Sequence, residues 1–356
     1  RRQRQMCIRD RHNERVYYGW NLLYNYMPNK NLSLIFGTDG RYDNGDRQRY
    51  NTIDRRITST THNWHIKETS IGLFFQGQYK PVDFFKLVGG LRYDRFDFDI
   101  ENKIKPNNSG SGDTSIFSPK IGFVITPFKN FHIFANKGLG FRSPSADEMS
   151  PPDRDYKNFN LKPAKVHTWD VGFNTMLFDK LYLSFNYYQT DMEREIRVVG
   201  SETINIGKSK RDGYEVEAKF YATNELALYL NYAWVKARIK NPPTAGQDRV
   251  IGVPKDYFGA GIEFQHSFNR DKKLMFDLSY QYLGKAPLNA AGTIQRPPVD
   301  RYMAKAVYNI KNWSLFVEST YHPRKFTSEA MFLIGGVPAY DPKPVWDFNA
   351  GIKYSF

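Results

Sequence analysis

The chain has 356 residues, with 51 Lys plus Arg against 37 Asp plus Glu and a formal net charge of +14. At 25% charged, 40% hydrophobic and a mean hydropathy of −0.62, it has no run near the ~18–20 apolar residues of a membrane-crossing helix, which excludes helical membrane proteins. One cysteine, Cys7, excludes an intrachain disulfide and a paired-cysteine zinc site, and basic residues spread along the chain leave no nucleic-acid footprint.

The run Arg1-Arg2-Gln3-Arg4-Gln5-Met6-Cys7-Ile8-Arg9-Asp10-Arg11 has neither a strand period nor a signal-peptide core. Residues 1–11 read as a non-native leader, with 12–356 as the protein proper and the natural chain expected to extend upstream. Tight turns are then predicted at Pro28–Asn31, Lys80–Asp83, Pro127–Asn130, Phe178–Lys180, Ala222–Glu225, Phe268–Lys272 and Ile310–Asn312. Longer polar loops are expected between them, at about 43–65, 103–113, 143–165, 198–204, 241–250, 287–297 and 322–343.

The segments between these punctuation marks alternate. Leu181, Leu183, Phe185 and Tyr187 stand opposite Ser184 and Asn186; Leu226, Leu228, Leu230, Tyr232 and Trp234 repeat the pattern. So do Leu274, Phe276, Leu278, Tyr280 and Tyr282, and finally Trp346, Phe348, Ala350, Ile352, Tyr354 and Phe356. A period of two gives a strand one apolar and one polar face. Soluble sandwich strands average about five or six residues, whereas these hold for about ten or more, the span of a tilted membrane strand. The polar face carries charge, as at Glu215, Glu217 and Lys219, which fits a watery lumen better than a packed interior. Aromatic residues make up 16% of the chain, with 24 Tyr and 27 Phe, enough for girdles at both membrane boundaries. The fold class is therefore all-β: a transmembrane antiparallel β-barrel of about fifteen strands, with short turns on the periplasmic side and long loops outside.

Several segments resemble one family, the TonB-dependent outer-membrane receptors. They are Gly89-Gly90-Leu91-Arg92-Tyr93-Asp94, Phe117-Ser118-Pro119-Lys120-Ile121-Gly122, and Gly138-Leu139-Gly140-Phe141-Arg142-Ser143-Pro144 with Glu148. Asn160-Leu161-Lys162-Pro163, Asn205-Ile206-Gly207, Gly213-Tyr214-Glu215-Val216-Glu217, Val253-Pro254-Lys255 and the closing Tyr354-Ser355-Phe356 follow in order. Ala164 stands where the family usually has Glu, and Glu318–Arg324 replaces an Asn-Leu-Phe-type segment. The resemblance implies a plugged 22-strand barrel of which this chain carries the last fifteen strands, the plug and the TonB-gripped segment lying upstream. It implies a monomer in the outer membrane of a Gram-negative bacterium. The implied partners are TonB, outer-membrane lipid and lipopolysaccharide, the barrel-assembly machinery reading Phe356, and an extracellular small-molecule ligand such as an iron chelate. No cofactor and no nucleic-acid partner is implied.

Ligand-binding candidates are Arg142, Arg154 and Tyr156 around the loop at 143–165, and His322 and Arg324 at the mouth of the last loop. Guanidinium groups suit anionic chelates and a Tyr ring can stack. The plainer alternative is that Arg142 and Glu148 tie the loop base together and the others are solvated. The absence of His between Ser145 and Phe159 disfavours haem. His62 and His65 lack a third ligand, so no metal site is assigned. No nucleophile elbow, His-Glu-x-x-His or phosphate loop occurs, and the chain is not read as an enzyme. A passive porin-like channel stands as the other reading, and cobalamin, haem or oligosaccharide as the other cargoes of a TonB-dependent receptor.

Overall fold

The computed structural model describes residues 10–54, 56–151, 156–199, 202–242, 244–324, 331–340 and 343–355. Its elements in order begin with β1 (Asp10–Asn29), β2 (Leu32–Ile53), β3 (Arg56–Val82), β4 (Phe85–Asn102) and β5 (Gly110–Phe128). There follow β6 (Phe131–Arg142), a short helix α1 (Ala146–Met149), β7 (Ala164–Leu177), β8 (Leu181–Val199), β9 (Glu202–Tyr221) and β10 (Leu226–Lys240). The chain continues with β11 (Asp256–Asn269), β12 (Lys272–Leu283), β13 (Ala286–Pro287), β14 (Gln295–Arg296) and β15 (Val299–Ile310). Last come β16 (Trp313–Tyr321), β17 (Met331–Ile334), β18 (Val337–Tyr340) and β19 (Trp346–Tyr354).

Fifteen strands form one sheet in sequence order, β1 to β12 and then β15, β16 and β19. The pairs β13–β14 and β17–β18 are small separate hairpins within loops. Six of the seven tight turns fall within the expected ranges, and the one expected at Lys80–Asp83 is shifted to 83–84 because β3 runs on to Val82. Phe178 and Asp179 both take positive φ, 55° and 54°, the backbone of a two-residue hairpin turn that matches strand twist.

The alternation becomes two faces. Along β12 and β15, Phe276 lies opposite Ala306, Leu278 opposite Ala304 and Tyr280 opposite Tyr302. Leu278 is 44% exposed, so this stripe needs an apolar medium. The other parity pairs Glu263 with Asp277, Asp277 with Lys305, and Lys305 with Glu318 across four strands. Lys219 reaches Glu263 at 2.6 Å on that same polar side. Rings on the apolar face touch from strand to strand. Phe185, Tyr214 and Trp234 form one chain, with centroids 6.5 and 5.6 Å apart. Tyr280, Tyr302, Tyr321 and Trp346 form another, at 4.9, 6.2 and 4.4 Å. Such a belt marks a membrane–water boundary.

Two expected loops prove to be mostly strand, and a third is shortened. The segment at 43–65 is the upper part of the β2–β3 hairpin, with a turn at Asp54. The loop at 103–113 shortens to a 3-10 turn at Pro106–Asn108 before β5, and β8 and β9 come within two residues of each other at 198–204. These stretches are polar on both faces, so no alternation reveals them. Cross-strand backbone hydrogen bonding continues regardless, for example where Asn44 pairs with Lys67. At the other end, β1 starts at Asp10, which pairs with Tyr50; residues 1–9 lie outside the described residues.

Two compact units divide the chain: residues 1–123, 136–168 and 192–208 in one, and 124–135, 169–191 and 209–356 in the other.

Candidate ligand-facing site

In the first unit, β2, β3 and β4 carry a wall of charge on the face opposite the exposed Leu91 and Tyr93. Arg92 donates from Nη1 and Nη2 to the two carboxylate oxygens of Asp39, at 2.8 and 2.9 Å, and from Nε to Asp94 at 2.9 Å. Its guanidinium also lies 5.6 Å from the Phe74 ring centroid. Reaching from β4 to β2 means crossing β3, and Gly72 makes the passage: a Cβ there would land on the Arg92 guanidinium. Further up, Arg15 and Arg41 both close on Asp43 at 2.6 Å. Fork-shaped pairing of this kind fixes orientation as well as charge.

Above this wall the loop after β6 is folded rather than free. Met149 of α1 and Leu161 pack with Phe98, Ile100 and Ile196 into a buried cluster, each 6% exposed or less. Polar ties surround the cluster. Arg142 donates to both carboxylate oxygens of Glu148, at 3.0 and 2.9 Å. Glu148 also accepts from the Ser145 backbone N–H at 3.0 Å, the reach-back half of a capping box. The Tyr156 hydroxyl donates to the Thr203 carbonyl at 2.9 Å, and Asn158 Nδ2 donates to that same oxygen at 3.0 Å. Asn205 accepts from the Lys162 N–H and donates to the Lys162 and Arg194 carbonyls, all at 2.8 Å. The loop's own anchor is Asp147, which meets Arg47 of β2 at 2.5 Å. Arg47 in turn sits 5.7 Å from the centroid of Trp64, itself only 1% exposed.

The candidate residues therefore separate. Arg142 and Tyr156 lie on one folded loop, each with its polar atoms engaged within the protein. Arg154 lies outside the described residues, as does Phe356. His322 and Arg324 belong to the second unit. The His322 backbone N–H donates to the Val345 carbonyl at 2.8 Å. Arg324 pairs with Asp300 at 2.9 Å, a carboxylate that also accepts from the Tyr280 hydroxyl at 2.7 Å. His65 pairs with Asp46 at 3.1 Å, and His62 contacts Thr61 at 2.9 Å. The described residues hold no group of three or more His, Cys, Asp or Glu placed for a metal ion. Sequence reasoning missed Arg47, Asp147 and Trp64. The one available signal was the strand hairpin through 43–65, hidden by its polar composition.

This sheet and folded loop have counterparts among known proteins. The family model described as TonB dependent receptor-like, beta-barrel matches residues 3–318. The chain belongs to the TonB-dependent receptor family. An uncharacterized TonB-dependent receptor of Haemophilus influenzae is 24% identical over 245 residues, covering 63% of this chain and 68% of that protein. The vitamin B12 transporter BtuB of Photobacterium profundum is 21% identical over 252 residues, covering 63% of this chain and 41% of the relative. Among solved structures, the ferric yersiniabactin uptake receptor FyuA from Yersinia pestis superposes with a TM-score of 0.73 at 12% identity, over 97% of this chain and 54% of that one. The chain thus spans about half the length of that receptor and less than half of the B12 transporter. The fold is that of an outer-membrane antiparallel β-barrel, its exposed apolar stripe facing lipid and its charged face turned to the lumen.

Proposed function

We propose that this chain forms the channel wall and ligand-capturing loops of a TonB-dependent transporter, most plainly one for a ferric siderophore. The observation that carries the reading is the family match over residues 3–318, because it joins a barrel wall to an energy-coupled mechanism that a passive porin lacks. In the mechanism, extracellular loops capture the ligand, TonB acts through a segment of the whole receptor outside this chain, and cargo passes along the polar lumen. Arg142, Arg154, Tyr156, His322 and Arg324 remain the proposed ligand contacts. The wall of Arg92, Arg41 and Arg15, paired with Asp39, Asp94 and Asp43, would give the passage a polar, charge-balanced lining. The likeness to a vitamin B12 transporter favours cobalamin as a second cargo reading.

The test is uptake by cells expressing the whole receptor, using ferric chelates of catecholate, hydroxamate and carboxylate type alongside cobalamin. Saturable uptake of one iron chelate, abolished when the proton gradient is collapsed, supports the siderophore reading. Uptake of cobalamin alone replaces it with the second. Uptake that persists without the gradient identifies a passive channel.

A further inference from the structure

Arg47 stands on the charged face of the tall β2–β3 hairpin. In the register of these strands Asp39 lies opposite Gly72, Asp43 opposite Glu68 and Arg47 opposite Trp64, with no shift between them. Side chains two apart along a strand share a face, so Arg47 and Trp64 continue the wall that Arg92 and Asp39 begin. Eight residues past Asp39, Arg47 lies about 26 Å further along the strand, towards the long loops.

Its pairing differs from the rest of the wall. Arg92 and Arg41 take their carboxylates from Asp39, Asp94 and Asp43, all strand residues that main-chain pairing holds in place. Arg142 grips both carboxylate oxygens of Glu148 within one loop. Arg47 instead reaches a loop carboxylate through one bond, from Nη1 to Asp147 Oδ1 at 2.5 Å. A guanidinium carries five N–H donors, and this is the single side-chain hydrogen bond of Arg47 among the described residues. The two side chains are 26% and 44% exposed, so water reaches both. The pair can open without moving a strand.

Trp64 adds a second unmet donor. The Arg47 guanidinium lies 5.7 Å from its ring centroid, a contact that steadies a cation. Its Nε1–H is buried and has no hydrogen-bond partner among the described residues. A buried donor of this kind is costly to leave unsatisfied. The spare guanidinium N–H groups and the indole N–H both call for an acceptor.

We infer that Arg47 is a specificity-determining contact for an anionic group of the cargo, and that Asp147 occupies it as an internal stand-in until cargo displaces it. A carboxylate or catecholate oxygen takes over the bond from Nη1, and a neighbouring oxygen can add the second bond that Asp147 does not make. One ion pair replaces another, so only the bond to Asp147 is given up. Met149 remains in the buried apolar cluster, which lets the loop loosen without unfolding. The inference rests on the reading of this chain as part of a transporter for an anionic iron chelate.

The experiment measures binding of a ferric tricatecholate and of ferric citrate, both anionic, to the whole receptor purified in detergent. Asp147→Asn removes the stand-in and should tighten binding about two- to fivefold, the bias that an exposed ion pair exerts. Arg47→Gln removes the contact and should weaken binding roughly tenfold, as loss of a charged hydrogen bond does. The exchange of Arg47→Asp with Asp147→Arg keeps the latch but moves the guanidinium, and should bind as weakly as Arg47→Gln. A latch that only holds the loop predicts shifts of one sign, because each single variant breaks it. Opposite signs support the proposal. Shifts in the same direction, unchanged affinity in Asp147→Asn, or parental affinity in Arg47→Gln overturn it and leave the transport reading standing. A parent that binds cobalamin and neither iron chelate overturns the siderophore reading and this inference together. Heat-modifiable gel mobility of each variant reports that the barrel is folded.

Discussion

Arg47 and Asp147, a hundred residues apart in the chain, meet at 2.5 Å, and the same guanidinium lies 5.7 Å from the Trp64 ring. The pair fastens the loop after β6 to the tall β2–β3 hairpin. Asp147 is 44% exposed, so the pair contributes about 0.5–1 kcal/mol. Arg47→Ala should raise hydrogen exchange across residues 144–150 a few-fold, and the charge swap Arg47→Asp with Asp147→Arg should restore most of the protection. An unchanged exchange rate in Arg47→Ala would show that the loop is held by its apolar cluster alone.

That cluster is the stronger anchor. Leu161 and Met149 are each 1% exposed, and truncating a buried Leu or Met typically costs about 2–5 kcal/mol. Leu161→Ala is expected to free the loop for proteolysis near 150–158 while leaving barrel melting nearly unaltered, because the strands do not depend on it. Loss of the folded barrel in this variant would refute the separation.

Gly72 and Arg92 should behave as one unit. In Gly72→Ala the new methyl occupies the guanidinium's place, breaking the link to Asp39 at a cost of about 1–3 kcal/mol. Adding Arg92→Ala to that background should cost much less than it does alone, a coupling readable in a double-mutant cycle of thermal melting. Additive losses would mean that Arg92 finds another route.

Asp300 is held by two donors, Tyr280 at 2.7 Å and Arg324 at 2.9 Å. Tyr280→Phe leaves Arg324 in place, so about 1 kcal/mol is the expected loss. Combining it with Arg324→Ala removes both donors from a side chain only 13% exposed, and the joint loss should exceed the sum. If Arg324 instead contacts cargo, Arg324→Ala alone will lower ligand affinity without shifting the melting temperature.

Fifteen strands and seven tight turns were legible because lipid imposes alternation and hairpins concentrate Gly, Asn, Asp and Pro at their ends. The Leu226–Trp234 and Leu274–Tyr282 runs needed nothing more. The same logic failed at Asp43–His65, where polar side chains stand on both faces and no alternation remains, although the backbone still pairs. The site was less readable still. Arg142 and Glu148 could be matched by proximity in sequence, but the Arg47–Asp147 pair depends on a hairpin whose height no local signal gives.

The length of that hairpin has a consequence for what the cell shows its surroundings. A crossing strand needs about 9–11 residues, yet β2 has 22 and β3 has 27. The surplus, at roughly 3.3 Å per residue, is a rod some tens of ångströms long, and its tip at Asp54 is among the parts of the chain that an antibody or a phage tail fibre reaches earliest. Because its stiffness comes from main-chain pairing, exposed side chains near its tip can change without disturbing the lipid-embedded part below.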